Sequence, residues 1–281
     1  MIAVTGATGY VGGRVAEHLA EAGVAQRIVV RDPARAPKPA GAEVRRISGY
    51  GAGEEVRAAL EGAETLFLVP GQEAADRVEQ HKTAIDAAVA AGVRRIVYLS
   101  AIGAAPDATW TLVRQHWETE EHVRASGVAW TFPRFNLYMD FIPSMAGPDG
   151  VIRGPAGDGR VAAVLRADVA AAVAPILTGS GHDGRIYDLT GPDAFTLADA
   201  AALMSRVAGR EIRFHDETDE EAFASRAGYG APEWEVRGWV STYWAIREGS
   251  LAHVSPHVRE LTGRDPVSLE AFLAAHPEVV G

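Results

Sequence analysis

A glycine turn set directly after a short apolar strand constrains this chain more than any other feature. Ile2-Ala-Val-Thr5 reads as a buried strand, and Gly6, Gly9 and Gly12 follow at G-x-x-G-x-x-G spacing. Val11, Val15, Leu19 and Ala22 then share one face of a helix. A strand, glycine turn and helix in that order bring backbone N–H groups and a helix N-terminus against a diphosphate. Gly6 admits the tight turn, Gly9 lets backbone approach phosphate, and Gly12 lets the helix pack on the strand. Thr8, Tyr10 and Val11 complete the phosphate loop.

The first half of the chain repeats that alternation. Strands are expected at 2–5, 27–31, 43–47, 65–69, 95–100 and 129–134, with helices at 10–22, 54–60, 72–91 and 112–125. Gly23, Gly62, Gly92 and Gly127 stand where helix C-caps are wanted. Strands separated by helices make a parallel sheet with right-handed crossovers. The expected fold is therefore α/β, a doubly wound Rossmann sheet with a small α+β C-terminal lobe. We assign residues 1–150 to the nucleotide-binding domain, with contributions from about 160–190, and residues 191–281 to the lobe. A helix at 167–177, strands at 186–189 and 212–215, and a helix capped by Thr196 fill the second half.

Bulk properties exclude several function classes. The 281 residues are 47% hydrophobic, enough for a core, and contain no cysteine, which removes disulfides and thiolate chemistry. A net charge of −10 argues against nucleic acid as the main partner. No apolar run reaches membrane-spanning length, and Met1 leads straight into the first strand, so a cytoplasmic protein acting on a small molecule is expected. A homodimer through a sheet edge or the crossover helix at 72–91 is allowed. The acidic run Asp216–Glu221 reads as a solvated helix start, and no metal site is expected.

The end of the second strand selects the dinucleotide. NAD sites place a carboxylate there for the ribose 2′-hydroxyl. Here the segment is Val30-Arg31-Asp32-Pro33-Ala34-Arg35. Arg31 at the strand end can hold an adenosine 2′-phosphate and stack on adenine, and Arg35 adds a second cation. NADP(H) is the expected cofactor; a shifted register would instead give Asp32 the ribose. Further contacts should come from strand ends, where open sheets collect ligands: Leu68, Val69 and Pro70, then Ser100, Ala101 and Ile102, then Phe135 and Asn136.

Thr5-Gly-Ala-Thr-Gly-Tyr-Val-Gly12, Val97-Tyr-Leu-Ser-Ala-Ile-Gly103, His116-Trp-Glu-Thr-Glu120, Asp168-Val-Ala and Leu261-Thr-Gly-Arg-Asp-Pro266 together resemble the NmrA-like atypical short-chain dehydrogenase/reductases. Within that group the type 2 NAD(P)H:quinone oxidoreductases are most similar. The resemblance spans nearly the whole chain and implies an NADP-binding Rossmann domain, a small C-terminal lobe and reduction of electron-poor compounds. Some members are NADP-sensing regulators instead. The resemblance also implies an Asp after the third strand, near adenine; this chain has Ile47-Ser-Gly-Tyr50, so that contact falls to backbone or Ser48.

Ordinary short-chain dehydrogenases use a Tyr acid with a Lys four residues on. Lys38 and Lys82 are the lysines here, and neither follows a tyrosine at that distance. By the resemblance, His116 falls where that Lys would sit. Glu120, one turn on, lies on the same face and can orient the ring. His116, Glu120 and Ser100 are the candidate catalytic residues; Tyr138 and Phe141 are candidates for an aromatic substrate pocket. Without the Tyr–Lys acid, an acceptor that takes hydride unaided is favoured. The expectation is an NADPH-dependent reductase of quinones or similar electron-poor conjugated acceptors. The alternatives are a non-catalytic NADP sensor and a biosynthetic ketone or imine reductase.

Overall fold

The computed structural model describes residues 1–280. In chain order it forms β1 (Ile2–Thr5), α1 (Tyr10–Glu21), β2 (Gln26–Val30), β3 (Ala42–Arg46), α2 (Gly53–Leu60), β4 (Thr65–Leu68), α3 (Arg77–Ala90), β5 (Arg95–Tyr98), β6 (Ser100–Ala101), α4 (Leu112–Ala125) and β7 (Ala129–Phe135). Then come β8 (Val151–Gly154), β9 (Arg160–Val161), α5 (Arg166–Thr178), β10 (Arg185–Leu189), β11 (Phe195–Thr196), α6 (Leu197–Ala208), β12 (Arg213–Asp216), α7 (Asp219–Arg226), α8 (Glu233–Arg247), α9 (His257–Thr262) and α10 (Leu269–Ala275). The main sheet runs β3-β2-β1-β4-β5-β7-β10, with β6 beside β7, and its pairings are parallel. The strand order reverses between β1 and β4. A crevice opens at such a switch point, beyond the strand C-termini.

Apolar patterning explains the layers. Every residue of β1 and β2 is buried, as parallel strands covered on both faces require. On one face Val11, Val15 and Leu19 of α1 pack with Val169, Val173 and Ile176 of α5. On the other, Val56 and Leu60 of α2, Ile85 of α3 and Val123 of α4 pack around Leu66, Ile96 and Tyr98. Gly23, Gly62, Gly92 and Gly127 all adopt positive φ just after their helices, as the sequence predicts. One boundary differs: the helix expected from residue 72 begins at Arg77. Pro70 and Gly71 end β4 in a loop, and the Gly71 N–H donates to His81 Nε2, 2.9 Å away, which folds the intervening stretch back.

The lobe has its own core of Ile152, Val161, Phe195, Leu197, Met204, Ile246 and Leu273. β8 pairs with β12 and β9 with β11, so residues 151–161 belong to this core despite preceding residue 191. Close approach at glycine seats α8 there: a Cβ on Gly159 would lie 2.2 Å from the Ile246 carbonyl oxygen. The chain then crosses back. The Asp188 N–H donates to His257 Nδ1, at 2.9 Å, at the start of α9. Asp168 on α5 accepts the Val267 N–H at 2.8 Å and meets Arg264 at 2.7 Å, joining two of the motifs noted in the sequence. The acidic run becomes the start of α7, where Thr218 and Glu221 form a reciprocal cap.

Candidate active site

A cleft of about 250 Å³ lies over the switch point. Its floor is Gly6, Gly9, Val11 and Gly12; its walls are Tyr10, Val69, Pro70, Leu99, Phe135, Tyr138, Phe141 and Arg166. Gly6 and Gly12 are required sterically. Gly6 has φ +63°, and a Cβ there would sit 2.7 Å from Val69 Cβ. A Cβ on Gly12 would lie 2.5 Å from the Gly6 carbonyl oxygen. On Gly9 it would meet only that oxygen, at 3.3 Å, so Gly9 is bare toward the cleft rather than crowded from within. α1 starts at this turn with no side-chain cap and no acidic residue in its first turn. Its leading N–H donors are left for an anion, and a dinucleotide diphosphate fits the cradle.

Hydrogen bonds pin the opposite wall. The Thr5 hydroxyl donates to the Phe67 carbonyl at 3.1 Å and accepts the Val69 N–H at 2.9 Å. The Tyr50 hydroxyl donates to the Val69 carbonyl at 2.7 Å, and burial pushes its pKa up to about 12, so it stays a donor. Tyr50 was not singled out by the sequence; it lies in the segment that lacks the expected Asp. Ser48 is engaged elsewhere, its N–H and hydroxyl both bonded to Glu55. Phe135 and Tyr138 stack at 4.5 Å, and Phe141 meets Tyr138 edge-on at 5.8 Å, so the two expected pocket aromatics do line the cleft. Leu99 and Arg166 are cleft residues that sequence reasoning missed. The signal for Arg166 was its place beside the noted Asp168 motif.

The expected catalytic trio is arranged differently. His116 is buried behind Phe135, whose ring lies edge-on at 5.8 Å. Arg77 approaches His116 Nε2 at 3.2 Å, and Tyr98 Oη lies 3.0 Å from Nδ1. A guanidinium only donates, so Nε2 accepts and the proton sits on Nδ1. Burial, then the Arg77 charge, hold the His116 pKa well below its ordinary value. The ring is neutral, hydrogen-bonded at both nitrogens by the protein and outside the cleft lining. This geometry presents no free ring nitrogen for the ribose contact or proton donation open to it in the sequence, beside the third reading of merely shaping the pocket. His81 repeats the pattern. Its Nε2 accepts from Gly71 and its Nδ1 lies 3.1 Å from Thr119 Oγ1, with burial driving its pKa down to about 3. This array braces the loop behind Pro70.

Glu120 does not orient His116. It is fully buried and binds Arg134 through two bonds of 2.8 and 2.6 Å, Arg124 at 3.1 Å and the Ser100 hydroxyl at 2.6 Å. Ser100 is thereby turned away as donor to an internal carboxylate. Asn136 is corrected too: its amide donates to the Leu251 carbonyl at 3.0 Å and its oxygen accepts the Leu137 N–H at 2.7 Å. The Leu251 bond ties the lobe to the end of β7, and the Leu137 bond fixes the amide locally. Leu68, Ala101 and Ile102 are buried core residues and do not reach the cleft lining.

At the far end of β2, Arg31 and Arg35 stand exposed and carry no ion pair among the described residues. Asp32 is committed to a local turn, its Oδ1 accepting the Ala34 N–H at 3.0 Å. Two cations without an ion pair among the described residues thus stand at the strand end that the sequence reading expects to meet an adenosine 2′-phosphate. Thr8 is exposed at the tip of the glycine turn.

The NmrA-like family model matches residues 1–231. The chain belongs to the NmrA-like family. A (4-alkanoyl-5-oxo-2,5-dihydrofuran-3-yl)methyl phosphate reductase from Streptomyces griseus is 40% identical, covering 99% of this chain and 98% of that protein. Quinone oxidoreductase 2 of Escherichia coli is 37% identical, covering 96% of each. Among solved structures, the NADPH-dependent quinone oxidoreductase of Escherichia coli complexed with NADPH superposes with a TM-score of 0.89 at 32% identity, covering 98% of this chain and 99% of that one. No described helix is long and apolar enough to cross a membrane.

Proposed function

We propose that this protein is an NADPH-dependent reductase that passes hydride to a quinone or a similarly electron-poor conjugated acceptor. One observation carries the reading: the aromatic wall of Phe135, Tyr138 and Phe141 faces the glycine cradle with no carboxylic acid or imidazole in the cleft. The wall stacks a flat acceptor, and the cradle fixes the diphosphate that sets the depth of the coenzyme. NADPH, when bound, supplies the hydride. Val69, Pro70 and Leu99 exclude water from the space between.

An unactivated ketone needs an acid at its oxygen, worth on the order of a hundredfold or more. His116, Ser100 and Glu120 are bonded within the protein and are not among the cleft-lining residues, which favours an acceptor that needs no such acid. A quinone needs far less help, because its reduced anion is delocalised over both oxygens and water can protonate it. The relatives support the reading from outside: one acts on a quinone and another on a conjugated lactone bearing an acyl group. Action on a small molecule in the cytoplasm is part of the same proposal.

The assay is NADPH oxidation followed by absorbance with a panel of quinones, enones and imines. Many turnovers with quinones support the proposal. Saturable NADPH binding with no turnover across the panel would replace it with the sensor reading.

A further inference from the structure

Arg166 is the charged residue among those lining the cleft; the rest are glycine, apolar or aromatic. It opens α5, and its guanidinium lies over two rings, 4.6 Å from the Tyr10 centroid and 4.9 Å from that of Phe141. Those rings are among the exposed large apolar side chains of the molecule, and they belong to the two sides of the cleft mouth. Asp140 holds the inner edge. Its Oδ2 accepts the Arg166 N–H at 2.9 Å and its Oδ1 lies 3.3 Å from Nε. The terminal nitrogens of Arg166 engage no acceptor among the described residues. Arg14, the other cation near Tyr10, is paired with Glu17 at 2.8 Å on the outer surface.

We infer that Arg166 selects acceptors carrying a negative group, a carboxylate, sulfonate or phosphate, beside their electron-poor ring. The inference rests on the reductase reading and narrows its substrate class. A guanidinium flanked by two rings, with Nε turned toward the Asp140 carboxylate at ion-pair distance rather than hydrogen-bonded, presents its terminal N–H groups as a fork, which suits a planar or tetrahedral oxyanion. The surrounding wall is aromatic, so the same site takes the ring and the charge together. On a protein of net charge −10, such an acceptor needs a local cation to enter at all. The coenzyme diphosphate is the other anion near Tyr10, and the experiment separates the two.

Menadione and naphthoquinone sulfonate form a neutral and an anionic probe. The reading is the ratio of their kcat/KM values in wild type, Arg166→Met, Arg166→Lys and Asp140→Asn, alongside the NADPH Kd by fluorescence. Arg166→Met should lower the sulfonate-to-neutral ratio about tenfold or more. Arg166→Lys should restore part of it, and Asp140→Asn, which leaves the guanidinium uncompensated, should raise it. An unchanged ratio, whatever the absolute rates, overturns the inference. So does a loss seen only in NADPH affinity, which would assign Arg166 to the coenzyme. If wild type reduces neither quinone, the reductase reading fails separately. Calorimetric binding of naphthoquinone sulfonate to the NADP⁺-saturated protein then decides: equal affinity in wild type and Arg166→Met overturns the role, and weaker binding in the variant supports it.

Discussion

Gly9 and Gly12 stand three residues apart, and alanine at each would damage the protein in a different way. At Gly12 a Cβ would stand 2.5 Å from the Gly6 carbonyl oxygen and 2.9 Å from that of Thr5. The first contact is about 0.9 Å inside the 3.4 Å at which ordinary contact begins, and both neighbours are backbone. Helix α1 must therefore lift from β1. Overpacking of this kind costs about 1–3 kcal/mol, whereas helix propensity alone favours Ala by about 1 kcal/mol. The clash wins because no side chain can yield. We expect Gly12→Ala to lose about 1–2 kcal/mol, or roughly 2–6 °C in Tm.

At Gly9 the nearest atom is the Gly6 oxygen at 3.3 Å, which small adjustment accommodates. Gly9→Ala should keep the wild-type Tm within about 1 °C. Its methyl group instead occupies the approach of a diphosphate to the N–H groups of α1. NADPH affinity should fall by roughly tenfold to a hundredfold, the value of one or two charge-assisted hydrogen bonds. Thermal unfolding without ligand, paired with NADPH titration by calorimetry, measures both. If Gly9→Ala binds NADPH as wild type does, the glycine turn is not the diphosphate cradle. If Gly12→Ala is fully stable, the close-approach argument is wrong.

Arg31→Ala should weaken NADPH by roughly tenfold to a hundredfold and NADH by much less, measured as Kd for each; an equal loss would remove the 2′-phosphate from Arg31. Glu120→Ala leaves Arg134 and Arg124 facing a buried void, so unfolding by urea should show a loss of about 3–5 kcal/mol, and a loss below 1 kcal/mol would refute a structural role. His81 and His116 are neutral in the folded protein because their pKa values are depressed, to about 3 for His81. Between that value and the ordinary histidine pKa near 6.5, the unfolded chain binds protons that the folded one does not. Their contribution is complete above about pH 6.5 and is lost on acidification, by about 1 kcal/mol per pH unit for each ring. Urea titrations at pH 7, 6 and 5 should show that decline, and His81→Gln should flatten it; an unchanged slope would show that His81 does not titrate on unfolding.

Local patterns carried the nucleotide half of the molecule and failed where partners arrive from distant strands. The strand–turn–helix at the N-terminus announces itself because each glycine answers a constraint within a dozen residues. The C-cap glycines are local in the same sense. His116 and Glu120 do share a helix face, as their spacing predicts, but spacing says nothing of what each meets. Tyr98 comes from β5 and Arg77 from α3 to hold His116, while Arg134 comes from β7 to hold Glu120. A buried carboxylate with an arginine fork leaves no charge for a neighbouring imidazole. The same reasoning explains Asn136: a polar residue at a strand end faces either ligand or protein, and only the Leu251 carbonyl, far along the chain, decides it. Arg166 is the converse case. It stands two residues before the Asp168 of a motif that carried the family resemblance, and the two side chains diverge: Asp168 points into the fold toward Val267, and Arg166 points out over Tyr10 and Phe141. The polar residues that look most catalytic in the sequence are bonded within the fold behind the aromatic wall, which is where the proposed hydride transfer and the inferred Arg166 contact would take place.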